Sequence, residues 1–136
     1  MGTGLIVVDT NVVSYFVIAG AHTQRAEAVR SRDVDWLVPG LFVHEWLNVV
    51  SKHVRLGLFD RDEALRVYRR GTSLVQIEAS TPDPVAIFNL VKQSGCSSYD
   101  CEFVALVHAH RARLVTTDQE LLAAFPDVTE SLIQSK

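Results

Sequence analysis

The sequence predicts an α/β sandwich built on a mostly parallel sheet of four or five strands. Short apolar runs rich in β-branched residues alternate along the chain with longer stretches of helical periodicity. Each apolar run ends in polar or turn-forming residues, as expected of a buried strand that enters a loop. The chain has 136 residues, which suits one domain, and we expect a single domain over residues 1–136.

The first strand is predicted at residues 5–8, where four consecutive apolar residues fit a strand covered on both faces. Asp9 follows directly. In an open α/β sheet the ligand crevice lies beyond the carboxyl ends of the strands, so Asp9 is a candidate site residue. The alternative is that Asp9 only caps the helix that follows, and the sequence leaves both roles open.

Strands and helices then alternate along the rest of the chain. Apolar periodicity, capping residues and glycine or proline breaks define their predicted bounds. After the first strand we expect helices over about 12–19 and 23–30, a strand over 36–38, helices over 41–56 and 60–70, a strand over 74–77, helices over 84–93 and 97–110, a strand over 114–117 and a helix over 120–124. Gly57 and Gly71 are interpreted as the stops of the helices before them.

Two helix starts have the spacing of a capping box, Asp60 with Glu63 and Ser97 with Asp100. Asp100 therefore falls in a first helical turn. Most connections between predicted strands hold two helices, and simple antiparallel pairs would place Asp100 at the wrong end of the sheet. We therefore expect at least one helix to cross obliquely.

Composition limits the classes of function. The net charge of −3 and pI near 5.9 exclude a general polyanion binder with a basic surface. The hydrophobic fraction of 48% and mean hydropathy of +0.15 suggest that a partner or a second copy covers some apolar surface. Cys96 and Cys101 form no CxxC pair and are expected to be reduced packing residues.

The N-terminal region has no basic leader, and Asp9 and Asn11 interrupt its apolar stretch. We therefore expect no signal peptide or membrane span, and a cytoplasmic location. A zinc site shared by His108 and His110 is not expected, because residues two apart on a helix point in different directions.

Four carboxylates occupy positions that a parallel sheet can bring together. Asp9 and Asp118 each follow an apolar strand, Asp100 opens a helix, and Glu45 lies early in the helix after the second strand. Carboxylates ~5 Å apart would repel by roughly 3 kcal/mol per pair at an effective dielectric of 20, so they need protons, cations or separation. Mg²⁺ and Mn²⁺ prefer such oxygen ligands and can activate water for phosphodiester hydrolysis.

Each acid also has a simpler explanation. Alone, Glu45 would more often be a solvated helix residue, and Asp100 a first-turn acid favoured by the helix dipole. His44 could touch a substrate but is better explained as a partly exposed helix residue. Five basic residues could hold RNA phosphates or form a solvated face, and the acidic total charge favours the solvated face: Lys52, Arg55, Arg66, Arg69 and Arg70.

Four motifs in register resemble the PIN-domain ribonucleases over essentially the whole chain. They are the segment Val8-Asp9-Thr10-Asn11, Val38-Pro39 followed by Glu45 in a helix, Ser98-Tyr99-Asp100 before an apolar helix, and Val115-Thr116-Thr117-Asp118 near the C-terminus. In particular, the chain looks like the VapC-type toxin nucleases of bacterial toxin–antitoxin pairs.

The resemblance implies a three-layer α/β/α sandwich whose acids bind Mg²⁺ or Mn²⁺ and cleave single-stranded RNA. The acids carried over by position are Asp9, Glu45, Asp100 and Asp118. Thr117, and with it Thr10 or Asn11, would orient carboxylates by hydrogen bonds. The resemblance also implies a cognate antitoxin, a homodimer, and products with a 5′-phosphate and a 3′-hydroxyl. Glu120 stays outside this set, and the sequence identifies no residues that select the RNA.

Two other functions compete with this one. A haloacid-dehalogenase-like phosphatase also begins with a strand that ends in aspartate, but that chemistry usually uses Asp-x-Asp. This chain has Asn11 at the third position and no evident catalytic lysine. The other rival is a non-catalytic PIN-like module that binds RNA or protein, which the presence of all four acids disfavours.

Overall fold

The computed structural model describes residues 4–133, so the ends of the predicted domain, residues 1–3 and 134–136, lie outside the described residues. The strands are β1 (Leu5–Val8), β2 (Asp35–Val38), β3 (Val75–Ile77), β4 (Leu114–Thr116) and β5 (Thr129–Ser131). The helices are α1 (Thr10–Val17), α2 (Thr23–Arg32), α3 (Leu41–Arg55), α4 (Arg61–Ser73), α5 (Pro84–Ser94), α6 (Ser98–His110) and α7 (Gln119–Ala124).

The sheet has the order β3-β2-β1-β4-β5, and every pairing in it is parallel. Its central strand β1 alternates between the two faces, as the period of a strand requires. Ile6 and Val8 pack with residues of α1, α2 and α3, whereas Val7 packs with residues of α5, α6 and α7. The molecule is therefore a three-layer α/β/α sandwich, which confirms the predicted fold class.

The predicted elements are present, with shifts of a few residues at their ends. The fifth strand, β5, was not located from the sequence; it pairs with β4 along its whole length. This strand has only three residues, Thr129-Glu130-Ser131, and all three are polar. It therefore lacks the apolar pattern that predicts a buried strand. At the end of α6, His110 is exposed and its Nε2 lies 3.2 Å from Oε1 of Glu78.

The prediction that Gly71 ends a helix is wrong, because α4 continues through it to Ser73. Gly71 is buried within the helix, and a Cβ atom there would overlap the indole ring of Trp46 on α3. The same indole donates its N–H to the carbonyl of Tyr68 at 3.0 Å. The glycine thus permits close helix packing and does not terminate the helix.

Other local predictions hold. Asp60 and Glu63 form a reciprocal capping box at the start of α4, and Gly57 adopts a left-handed φ of 74° just after α3. Cys96 and Cys101 are free, buried and part of one apolar core. No helix within residues 4–133 is both long enough and apolar enough to cross a membrane.

Candidate active site

The four predicted acids line one cleft of about 300 Å³ at the carboxyl edge of the sheet. Asp9 follows β1, Asp118 follows β4, Glu45 lies in the second turn of α3, and Asp100 lies in the first turn of α6. The cleft is lined by Asp9, Thr10, Asn11, Glu45, Asn48, Val49, Asp100, Phe103, Asp118 and Leu121. Asp9 and Glu45 come from the N-terminal half of the chain and Asp100 and Asp118 from the C-terminal half, so the fold brings separate segments to the same opening.

Asp9 caps α1 and also lines the cleft. Its Oδ1 accepts the backbone N–H of Val12 at 3.0 Å and so caps α1. Its Oδ2 accepts the hydroxyl of Thr116 and, at 3.1 Å, the backbone N–H of Thr117. Burial raises the pKa of Asp9, and these three hydrogen bonds partly offset that rise. The carboxylate is therefore fixed in position by donors from β4 and α1.

Thr116, which sequence reasoning passed over, connects two of the acids. Its buried hydroxyl donates to Asp9 and accepts the backbone N–H of Asp118 at 3.0 Å. The residue chosen from the sequence, Thr117, reaches Asp9 only through its backbone, and its hydroxyl lies 3.5 Å from Nδ2 of Asn11. A polar residue inside a short apolar strand, two positions before an acid, was the signal that could have identified Thr116.

Glu45 is held in the cleft by Thr10. The Thr10 hydroxyl, at the start of α1, donates to Oε1 of Glu45 at 2.6 Å. Thr10 is buried, whereas Glu45 is half-buried. This contact links α1 to α3 and limits the positions that the Glu45 carboxylate can take.

Asp100 shows that the acids influence one another. Its pKa is raised above the usual value, chiefly by burial and next by the negative charge of Asp118, with smaller contributions from Glu45 and Glu120. The hydroxyl of Ser97 accepts the backbone N–H of Asp100 at 3.1 Å and so caps α6. Glu120 thus contributes to the raised pKa of Asp100 although it does not line the cleft.

The cleft carries uncompensated negative charge, since its lining includes no lysine, arginine or histidine. Across residues 4–133, however, no three histidine, cysteine or acidic side chains converge closely enough to form a ready-made metal site. The acids thus surround the cleft and do not meet at one point. This arrangement still suits Mg²⁺, which usually binds one or two carboxylates and keeps several waters.

The fold and the cleft define a class: an α/β/α sandwich with acidic side chains gathered beyond the carboxyl ends of parallel strands. The PIN domain family matches residues 6–126, so the chain belongs to that family. The family resemblance stated from the motifs is thereby confirmed.

Individual relatives agree with this assignment. Ribonuclease VapC3 of Pyrobaculum aerophilum is 25% identical over 124 residues, which cover 89% of this chain and 95% of the relative. The crystal structure of PAE2754 from the same organism has a TM-score of 0.74 at 21% identity, covering 98% of this chain and 93% of the other. A toxin–antitoxin complex from Klebsiella pneumoniae has a TM-score of 0.68 at 17% identity, covering 93% and 97%. The two structural matches show the shared fold.

Proposed function

We propose that this chain is a Mg²⁺- or Mn²⁺-dependent endoribonuclease that cleaves single-stranded RNA and acts as the toxin of a toxin–antitoxin pair. Membership of the PIN domain family and similarity to a VapC ribonuclease support the class of enzyme. The observation that carries the proposal is the gathering of Asp9, Glu45, Asp100 and Asp118 around one cleft that has no basic lining residue.

The donor set fits a divalent cation. All four acids offer carboxylate oxygens. Burial raises the pKa of Asp100 most, and the negative charges of Asp118 and Glu45 raise it further. Asp9, Asp100 and Asp118 would hold the ion directly or through water, and Glu45 would hold a second ion or orient the attacking water. When bound, such an ion lowers the pKa of water and stabilises the charge that develops on the phosphate.

The remaining roles belong to the chain itself. Thr116 keeps the Asp9 carboxylate aimed into the cleft, and Thr10 does the same for Glu45. Fixed carboxylates need less reorganisation when the phosphate reaches its transition state, which is how preorganised groups contribute to rate. Attack by water on phosphorus, with the P–O3′ bond breaking and the 3′-oxygen taking up a proton as it leaves, would give a 5′-phosphate and a 3′-hydroxyl.

An aspartyl-phosphate phosphatase fits the geometry less well. Both oxygens of Asp9 already accept hydrogen bonds, two of them at Oδ2, and so have little freedom to attack phosphorus. Asn11 occupies the position where a second aspartate would be needed, and its amide is directed at Thr117.

We also propose that a cognate antitoxin and a second copy of the chain cover apolar surface, and that the pair acts in the cytoplasm. Two exposed patches support the need for partners. One lies along α3, α4 and the turn between them, at Leu47, Val54, Leu56, Leu58 and Leu65. The other lies on α5, at Val85 and Phe88. Sedimentation of the isolated protein, with and without the antitoxin, tests both associations.

The decisive test of activity is cleavage of a single-stranded RNA by purified protein with Mg²⁺ or Mn²⁺. Asp9→Asn and Asp118→Asn should each lose at least ~10²-fold in rate, since each removes a carboxylate that holds the ion. Asp35→Asn is the matched control, because Asp35 is exposed at the start of β2, away from the cleft. Undiminished cleavage by both cleft variants would reject the mechanism, and a 2′,3′-cyclic phosphate product would indicate attack by the RNA's own hydroxyl.

A further inference from the structure

We propose that one face of α3, formed by Asn48 and Lys52, binds the RNA backbone beside the phosphate that is cut. This inference rests on the proposed ribonuclease function and identifies side chains that would position its substrate. The sequence alone indicates no role for Asn48 and favours a solvated face for Lys52. The placement of α3 beside the acids changes both interpretations.

The four residues Glu45, Asn48, Val49 and Lys52 follow the i, i+3, i+4, i+7 spacing that places side chains on one side of a helix. The first three line the acidic cleft. Lys52 lies four residues beyond Asn48, about 6 Å further along the axis at 1.5 Å per residue. Along this face the carboxylate of Glu45 comes first, the neutral amide of Asn48 second, and the cation of Lys52 last, outside the cleft. The step from Asn48 to Lys52 is similar to the distance between successive phosphates in an extended nucleic-acid strand.

Both side chains are available to a ligand. Asn48 and Lys52 are exposed, and neither makes a side-chain hydrogen bond or ion pair with any residue between 4 and 133. The other neutral donors of the cleft are engaged in whole or in part, since Thr10 donates to Glu45 and one N–H of Asn11 is directed at Thr117. Asn48 therefore supplies uncommitted N–H donors at the rim of the acidic cleft.

An amide suits this position better than a cation would. A lysine or arginine at residue 48 would be drawn to Glu45 one turn earlier and would repel a metal ion. The amide of Asn48 can donate to a phosphate oxygen without either effect, because it carries no charge. One turn further on, Lys52 has no acid among its described contacts and can attract the next phosphate.

The test compares Asn48→Ala and Lys52→Met with Asn89→Ala as the matched control. Asn89 is an exposed helical asparagine on α5 that lies outside the cleft. Loss of a hydrogen bond to a charged phosphate should raise KM about tenfold for Asn48→Ala, with little change in kcat. Asn48→Asp should raise KM further, since it adds a negative charge. Lys52→Met should reduce the slope of log affinity against log salt by about 1.

A modified substrate identifies the group that Asn48 contacts. A methylphosphonate at the linkage next to the cut removes the charged oxygen, so it should weaken binding to the unaltered chain but add little to the loss in Asn48→Ala. Additive losses would overturn the proposal, as would a KM for Asn48→Ala equal to that of the Asn89→Ala control. A changed sequence preference in Asn48→Ala would assign the amide to a base edge and also overturn it.

RNA binding without cleavage separates this inference from the proposed function. Anisotropy of a labelled RNA can be followed in the presence of Ca²⁺ whether or not the protein cuts. If the unaltered chain binds RNA in Ca²⁺ but does not cleave it in Mg²⁺ or Mn²⁺, the ribonuclease proposal fails, while weaker binding by Asn48→Ala still supports the backbone contact. If cleavage proceeds and Asn48→Ala binds as tightly as the unaltered chain, only the inference about α3 fails.

Discussion

The buried hydroxyl of Thr116 donates a hydrogen bond to Oδ2 of Asp9, a residue 107 positions away in the sequence. The Thr116 hydroxyl oxygen itself accepts the backbone N–H of Asp118 at 3.0 Å. One small side chain at the end of β4 therefore fixes the relative positions of two cleft acids. Since the hydroxyl both donates and accepts, an apolar residue of the same shape would remove the acceptor of the Asp118 N–H and one of the two donors to Oδ2 of Asp9.

Thr116→Val should lower both stability and activity. The change leaves a buried carboxylate oxygen and a backbone N–H short of a partner, at a cost of about 1–3 kcal/mol in the free energy of unfolding. RNA cleavage should fall roughly 10- to 100-fold, the usual effect of losing a group that orients a metal ligand. Thr116→Ser should recover most of the cleavage rate, because it restores the hydroxyl. Equal rates for the valine and serine variants would contradict this positioning role.

Thr10→Val tests the contact that holds Glu45. We expect kcat to fall roughly tenfold or more while the protein remains folded, since the Glu45 carboxylate loses its donor but stays solvent-accessible. Combining Thr10→Val with Glu45→Gln should cost little more than Glu45→Gln alone, because the two changes remove one interaction. Cleavage kinetics of the two single variants and the double variant measure this coupling. Fully additive losses would show that Thr10 acts independently of Glu45.

Divalent ions should raise the unfolding temperature. An ion that binds only the folded chain stabilises it by about 2.7 kcal/mol at a hundredfold excess over its dissociation constant. Relief of repulsion among the carboxylates contributes to that binding. Thermal unfolding in Mg²⁺ or Mn²⁺, against NaCl of the same ionic strength, measures the shift. The shift should shrink in Asp9→Asn and Asp118→Asn and remain in Asp35→Asn, and an identical shift in all of them would exclude the cleft as the binding site.

Gly71→Ala should destabilise the protein although alanine favours helices. Alanine has a higher helix propensity than glycine, by about 1 kcal/mol. The new methyl group would overlap Trp46, and overpacking of this kind costs about 1–3 kcal/mol, which outweighs the gain. Gly20→Ala is the control, because a Cβ there meets only a backbone oxygen at 4.0 Å. Denaturant unfolding should show a loss for Gly71→Ala alone. Trp46→Phe should reduce the effect of Gly71→Ala, since the smaller ring leaves more room for the methyl group.

Local sequence signals were sufficient for most of the fold. Runs of β-branched residues marked buried strands, and Asp60 with Glu63 marked a helix start through contacts only three residues apart. The acids could be selected because they follow strands or open helices, and parallel strands bring such positions to one edge. These features depend on periodicity and neighbours, which a single sequence contains.

The sequence by itself therefore determined the α/β class, the family resemblance and the four candidate acids. Only the tertiary structure decided that Thr116, and not Thr117, supports Asp9 with its side chain, and that Gly71 is needed for packing and not for ending a helix. It also brought Asp100 to the same edge as Asp9 and turned Asn48 toward the cleft. The physical reason is that each of these outcomes depends on contacts between segments far apart along the chain, which local periodicity and neighbouring residues do not specify.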